Sequence, residues 1–157
     1  MSKKPSEKKS KATRELLQVL QENSEPGHAI QLATALENIL KRIFTDFLHD
    51  ASNTLRDKLF KYGGPLGGFS SKIDLARALG IIDAAMCRDL HAFRDVRNAF
   101  AHPPMERLKF SSPSILKEMA RFEGFKTGLD PYIFFVDRYI SCVAALSSIP
   151  HRGGAFA

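Results

Sequence analysis

The six residues Arg97-Asn98-Ala99-Phe100-Ala101-His102, followed at once by Pro103-Pro104, bring a permanent cation, an amide and an imidazole to one end of an amphipathic stretch. A guanidinium offers a planar fork of donors that matches the oxygens of a phosphate or a carboxylate. An imidazole titrates near neutrality and can take or give a proton. Arg97 also interrupts an apolar seam, Met86, Leu90, Phe93, Arg97, Phe100, in steps of four and three. Burying a charge without a counterpart is costly, so Arg97 requires one: a ligand, a carboxylate, or the equivalent group of a second subunit. Within the chain, Glu37 and Asp74 are candidate carboxylates for a purely structural ion pair. In that case Asn98 and His102 tie down the helix end, the imidazole bonding a terminal carbonyl.

Other chemistry finds little support. His28, His49 and His91 form no pair at the spacing of a helical metal site, and HExxH is absent, so no metal or cofactor is expected. Gly63-Gly64-Pro65-Leu66-Gly67-Gly68 lacks the Lys-Ser/Thr that follows the last glycine of a phosphate loop, and reads as a tight connector. Ser70-Ser71 has no GxSxG setting. Cys87 and Cys142 are distant and unpaired in pattern, as expected of buried small hydrophobes in a reducing cytoplasm. Asp89 and Asp95, beside Arg88 and Arg94, read as a solvated, salt-bridged face.

The elements that must position Arg97 and His102 are helices, for almost every segment repeats its apolar residues with helical period. A short helix is expected over 13–22. A longer one follows Pro26-Gly27, over 28–50, with the stripe Ile30, Ala33, Leu36, Leu40, Ile43 and Phe47. A third spans 50–62. Ser71 to Asp74 resembles a capping box, opening a helix that stops at Gly80. Asp83 caps the helix of the Arg97 seam, which must end near Ala101 because Pro103 disfavours helical geometry before it. Leu108 and Phe110 suggest a short extended piece, 114–122 another helix, and Asp130-Pro131 opens a nearly apolar last helix through Ser147. The fold class is all-α: a compact single-domain bundle of about six to seven helices. Residues 1–14 form a disordered basic tail, 15–150 the domain, and 151–157 a frayed C-terminus.

At 157 residues, with 44% hydrophobic and 25% charged residues, the composition is that of one soluble globular domain. No apolar run approaches a membrane span and no secretory signal is present, so a cytoplasmic location is expected. The charge is unevenly placed. Residues 1–14 hold six cations against Glu7 alone, which is +5 of the formal +6. The body therefore lacks a broad basic face for duplex DNA, while the tail adds at most weak, salt-sensitive attraction to nucleic acid.

Three segments taken together, Pro65-Leu66-Gly67-Gly68-Phe69-Ser70-Ser71-Lys72-Ile73, Ala78-Leu79-Gly80-Ile81-Ile82, and Arg97 through His102, resemble the mannitol operon repressor (MltR) family. That family is in turn similar to the HEPN superfamily of small helical domains. The resemblance covers roughly residues 28–148 and implies a helical domain that forms homodimers. In nuclease members of the HEPN group, Arg and His of two subunits share a cleft for metal-independent RNA cleavage. Carried onto this chain, that implies Arg97 as phosphate clamp, His102 as acid or base, and Asn98 as the residue orienting one of them. The repressor side of the resemblance implies regulation. No helix here carries an exposed Arg, Asn and Gln reading set, so a protein partner is expected rather than sequence-specific DNA. RNA remains the partner of the ribonuclease alternative, and direct DNA-binding repression ranks behind both.

Overall fold

The computed structural model describes residues 24–102 and 107–150. The helix expected over 13–22, the basic tail and the C-terminal 151–157 lie outside the described residues. Among those described there are six helices and no strand.

Helix α1 (Glu25–Phe47) begins three residues before its expected start. Pro26 and Gly27 form its first turn. A proline there lacks only an N–H that has no helical acceptor anyway, and the Ser24 hydroxyl accepts from Gly27 N at 3.4 Å. The buried face is His28, Ala29, Leu32, Ala33, Leu36, Leu40, Ile43 and Phe44. Ile30 and Phe47, assigned to the inner stripe from periodicity, sit half-buried at its margins.

Helix α2 (Asn53–Phe60) is shorter than expected and buries no residue. It is held from its flanks. Ser52 caps it at Leu55 N, 3.2 Å, and Arg56 reaches back to the carbonyls of Ala51 and His49, both at 3.0 Å.

Helix α3 (Phe69–Ala78) corrects the expected capping box. Its N-cap is Gly68, which has no side chain to offer, and the Ser71 hydroxyl donates to the Gly68 carbonyl at 3.1 Å. The helix starts earlier because Phe69 is drawn into the core. Its end is as anticipated. Gly80 takes φ +68°, Ile81 N donates to Ala76 O at 2.9 Å, and Gly80 N donates to Arg77 O at 3.1 Å, a Schellman closure.

Helix α4 (Ala84–Ala101) has Asp83 as its cap, the carboxylate accepting from Met86 N at 2.8 Å. It packs on α1, α3 and on α5 (Pro113–Met119), which makes it the hub of the bundle. The extended piece anticipated around Leu108 and Phe110 is instead a turn. Lys109 N donates to Ser112 Oγ at 2.9 Å, and Phe110 N donates to Glu25 Oε2 at 2.7 Å. Helix α6 (Pro131–Ser147) spans the expected residues, with Asp130 accepting from Ile133 N at 2.9 Å.

One hydrophobic core joins all of these except α2, which contributes only its half-buried Phe60. Its centre is aromatic: Phe135 meets Phe93 at 4.7 Å and Phe110 at 4.9 Å between ring centroids, and Phe93 meets Phe122 edge-on at 4.8 Å. Such geometries add roughly 0.5–1.5 kcal/mol per pair beyond area burial. Cys142 is buried in this core and Cys87 half-buried, both as free thiols. No helix among the described residues is long and apolar enough to cross a membrane.

Candidate functional site

Helix α4 carries Arg97 at the edge of its buried stripe rather than in the middle. The residues facing inward are Asp89, Leu90, Ala92, Phe93, Val96 and Phe100. Arg97 lies one position round from Val96, with its side chain 20% exposed. From there the guanidinium reaches α1, donating to Glu37 Oε2 at 2.7 Å, and its carbon lies 5.2 Å from the Phe69 ring centroid, a cation–π distance. The second carboxylate oxygen of Glu37 accepts from Lys72 Nζ at 2.8 Å. Lys72, itself buried, also approaches the carbonyls of Gly67 and Gly68 at 3.4 and 3.3 Å. One carboxylate thus binds two cations from two helices, and the glycine loop supplies further acceptors for Lys72.

The electrostatics of Glu37 follow from that arrangement. Burial pushes its acidity toward the neutral form, but the hydrogen bonds from Lys72 and Arg97 outweigh it and hold the carboxyl below its ordinary 4.5. The cluster carries two cations against one anion and so keeps a net positive charge.

Asn98 and His102 are placed differently. Both are exposed at the end of α4, and His102 is the C-cap, its backbone N–H donating to Asn98 O at 3.1 Å. The helix leaves at Ala101 as the proline predicts. Arg97 is thus tied to α1 and α3, while the other two candidate residues face solvent at the helix terminus.

The inward placement of Asp89, Asp95 and His28 escapes the sequence reading. Asp89 is not on a solvated face: it is only 4% exposed, pairs with Arg138 at 3.2 Å and accepts from Glu123 N at 3.4 Å. Arg138 also donates to the Glu123 carbonyl, so the two close the 122–130 segment onto α4 and α6. Burial raises the Asp89 carboxyl above its ordinary 3.8 despite Arg138. Asp95 departs from the expected solvated face in the same direction, largely buried with Arg94 at 2.6 Å and Arg121 at 3.4 Å. An aspartate one step from a leucine in a helical pattern gives no sequence signal that it faces inward. His28 is the third. It is buried, its Nδ1 lies 2.7 Å from the Tyr132 hydroxyl, and its Nε2 has no partner. Burial lowers its pKa from 6.5, with Glu25 opposing.

Among the described residues no group of three His, Cys, Asp or Glu side chains is arranged to hold a metal ion. A family model described as MtlR, mannitol repressor, matches residues 28–133, which takes in α1 through the start of α6 and every residue of the Arg97 cluster. The chain belongs to the mannitol repressor family. No curated protein and no solved structure matches it. Within this family assignment, Glu37, Lys72 and Arg97 all lie inside the matched region, and the Pro-Leu-Gly loop gains a stated role, since its Gly67 and Gly68 carbonyls receive Lys72.

Proposed function

We propose that this member of the mannitol repressor family is a cytoplasmic, homodimeric regulator of a sugar-uptake operon, acting through a protein partner and not by reading bases. The observation that carries this reading is the Glu37 carboxylate. It takes one arm of the guanidinium that a phosphate would need, and turns Arg97 into a strut between α1 and α4. With one arm bonded at 2.7 Å to an internal carboxylate and only 20% of its side chain exposed, Arg97 has little guanidinium left to offer RNA. The small charge excess of the body points the same way, because duplex binding draws most of its affinity from neutralised phosphates.

A metal-independent ribonuclease is the second reading, favoured by the exposure of Asn98 and His102 side by side at the end of α4. Incubation of the purified protein with structured and single-stranded RNA in EDTA separates the two. The regulatory reading expects intact RNA, together with altered transcript levels of the mannitol-uptake genes on deletion of this gene. Cleavage that disappears in both His102→Ala and Arg97→Ala would replace it with the nuclease.

A further inference from the structure

Tyr62 stands wholly in solvent, at 102% of its reference exposure. The loop that presents it is firmly built. Leu66 N donates to Leu59 O at 2.8 Å, Gly64 N to Lys61 O at 2.8 Å, and Gly67 N to Gly64 O at 3.0 Å, while the Leu66 side chain is buried. The turns are so close that a β-carbon on Gly64 would lie 2.5 Å from Lys58 O, and one on Gly67 would collide with Lys61 O. Two glycines and a buried leucine therefore fix the loop while its aromatic residue packs on nothing.

The chain leading into that ring is cationic. Lys58 and Lys61, both exposed, precede it by four positions and by one, and Lys41 of α1 lies 5.7 Å from the centroid of Phe60. The acid of α2 is Asp57 alone. A local positive surface thus exists on a body whose overall charge is nearly balanced.

We propose that α2 and this loop bind single-stranded nucleic acid without sequence preference, one base stacking on Tyr62 and adjacent phosphates resting on Lys58 and Lys61. A flat ring open on both faces, next to exposed ammonium groups, is what sequence-tolerant single-strand binding uses. An acidic peptide fits less well, since its side chains need sockets. Two clefts of the molecule lie elsewhere, one lined by Leu116, Phe125 and Leu129, the other by Ile81, Met86 and Leu146. Tyr62, Lys58 and Lys61 are not members of the Arg97 cluster, so the proposal stands or falls apart from the regulatory reading.

The test is fluorescence anisotropy of the full chain with two labelled probes, a twelve-nucleotide oligouridylate and the matching oligothymidylate, between about 50 and 200 mM salt. Tyr62→Ala should weaken binding about tenfold, within the range for losing one base–aromatic stack, and Tyr62→Phe should retain it. The Lys58→Glu/Lys61→Glu variant should flatten the logarithmic salt dependence by about 1.4, at ~0.7 per phosphate contact. The basic tail is common to all variants, so these differences belong to the loop. Because Tyr62 is fully exposed, thermal unfolding of Tyr62→Ala should match the parent. Equal binding of both probes supports recognition through features the two strands share, and a preference for one names the strand. Absence of binding, unchanged affinity in Tyr62→Ala, or equal displacement of the probe by a glutamate dodecamer would overturn the proposal.

Discussion

Arg97 of α4 and Glu37 of α1 meet at 2.7 Å although sixty positions separate them, and Lys72 holds the opposite oxygen of the same carboxylate at 2.8 Å. Removing the carboxylate leaves a buried ammonium and a largely buried guanidinium without their shared anion, whereas removing either cation leaves a pair. Glu37→Gln should therefore cost about 3 kcal/mol, near the lower end for breaking a buried pair, and Arg97→Met distinctly less. Urea unfolding of the two variants checks the order, and a smaller loss in Glu37→Gln than in Arg97→Met would contradict it.

The same carboxylate sets an acid dependence. Its folded pKa lies below its ordinary 4.5, so its contribution is complete above that value and is lost as pH falls through the depressed one. Glu37→Gln should abolish this part of the acid-induced loss. Asp89 has the opposite sign, being raised by burial above 3.8, so its ionisation opposes folding as pH rises through that region. Unfolding midpoints across pH 3–6 for the parent, Glu37→Gln and Asp89→Asn should show slopes altered in opposite directions.

His28 gives a separate window. A folded pKa depressed by burial means the unfolded chain takes up the proton first, so stability is full above 6.5 and declines as pH falls toward the lowered value. His28→Phe, which keeps bulk and removes the orphaned Nε2, should flatten this decline and leave Tyr132 as the only group losing a partner. Comparing urea midpoints just above and just below 6.5 decides it; an unchanged slope in His28→Phe would remove His28 as the cause.

Gly67→Ala should destabilise by about 2–3 kcal/mol or more, as a backbone clash that no side-chain rotation relieves. The shift must also disturb the Gly67 carbonyl that Lys72 approaches at 3.4 Å, coupling the loop to the Arg97 cluster. A double-mutant cycle of Gly67→Ala with Lys72→Met should then be non-additive, and strict additivity would show the two to be independent.

Helix ends were the most legible part of the sequence. Asp83, Asp130-Pro131 and Gly80 act through local chemistry, where a side-chain oxygen, a locked φ or a missing Cβ works without help from distant residues. The capping box at Ser71 failed for the complementary reason: the tertiary pull on Phe69 moved the start of α3 forward, leaving Gly68 as cap. Of the candidate site, the helix terminus at His102 and Glu37 as a possible counterion could be read. That Glu37 also takes Lys72, and that Asp89 and His28 face inward, depends on helix rotation by a fraction of a turn. Periodicity does not resolve that, as the displacement of Ile30 and Phe47 from the α1 stripe shows.

Cys142, sealed in the core beside Asp89, has its thiol pushed up to about 12, chiefly by burial. A sulfur so starved of thiolate ignores alkylating reagents while the bundle is shut. Its modification, read by mass apart from that of the half-buried Cys87, therefore acts as a clock for the lifting of α6: each molecule labelled at Cys142 marks one opening event, timed by a residue the protein supplies without any engineering.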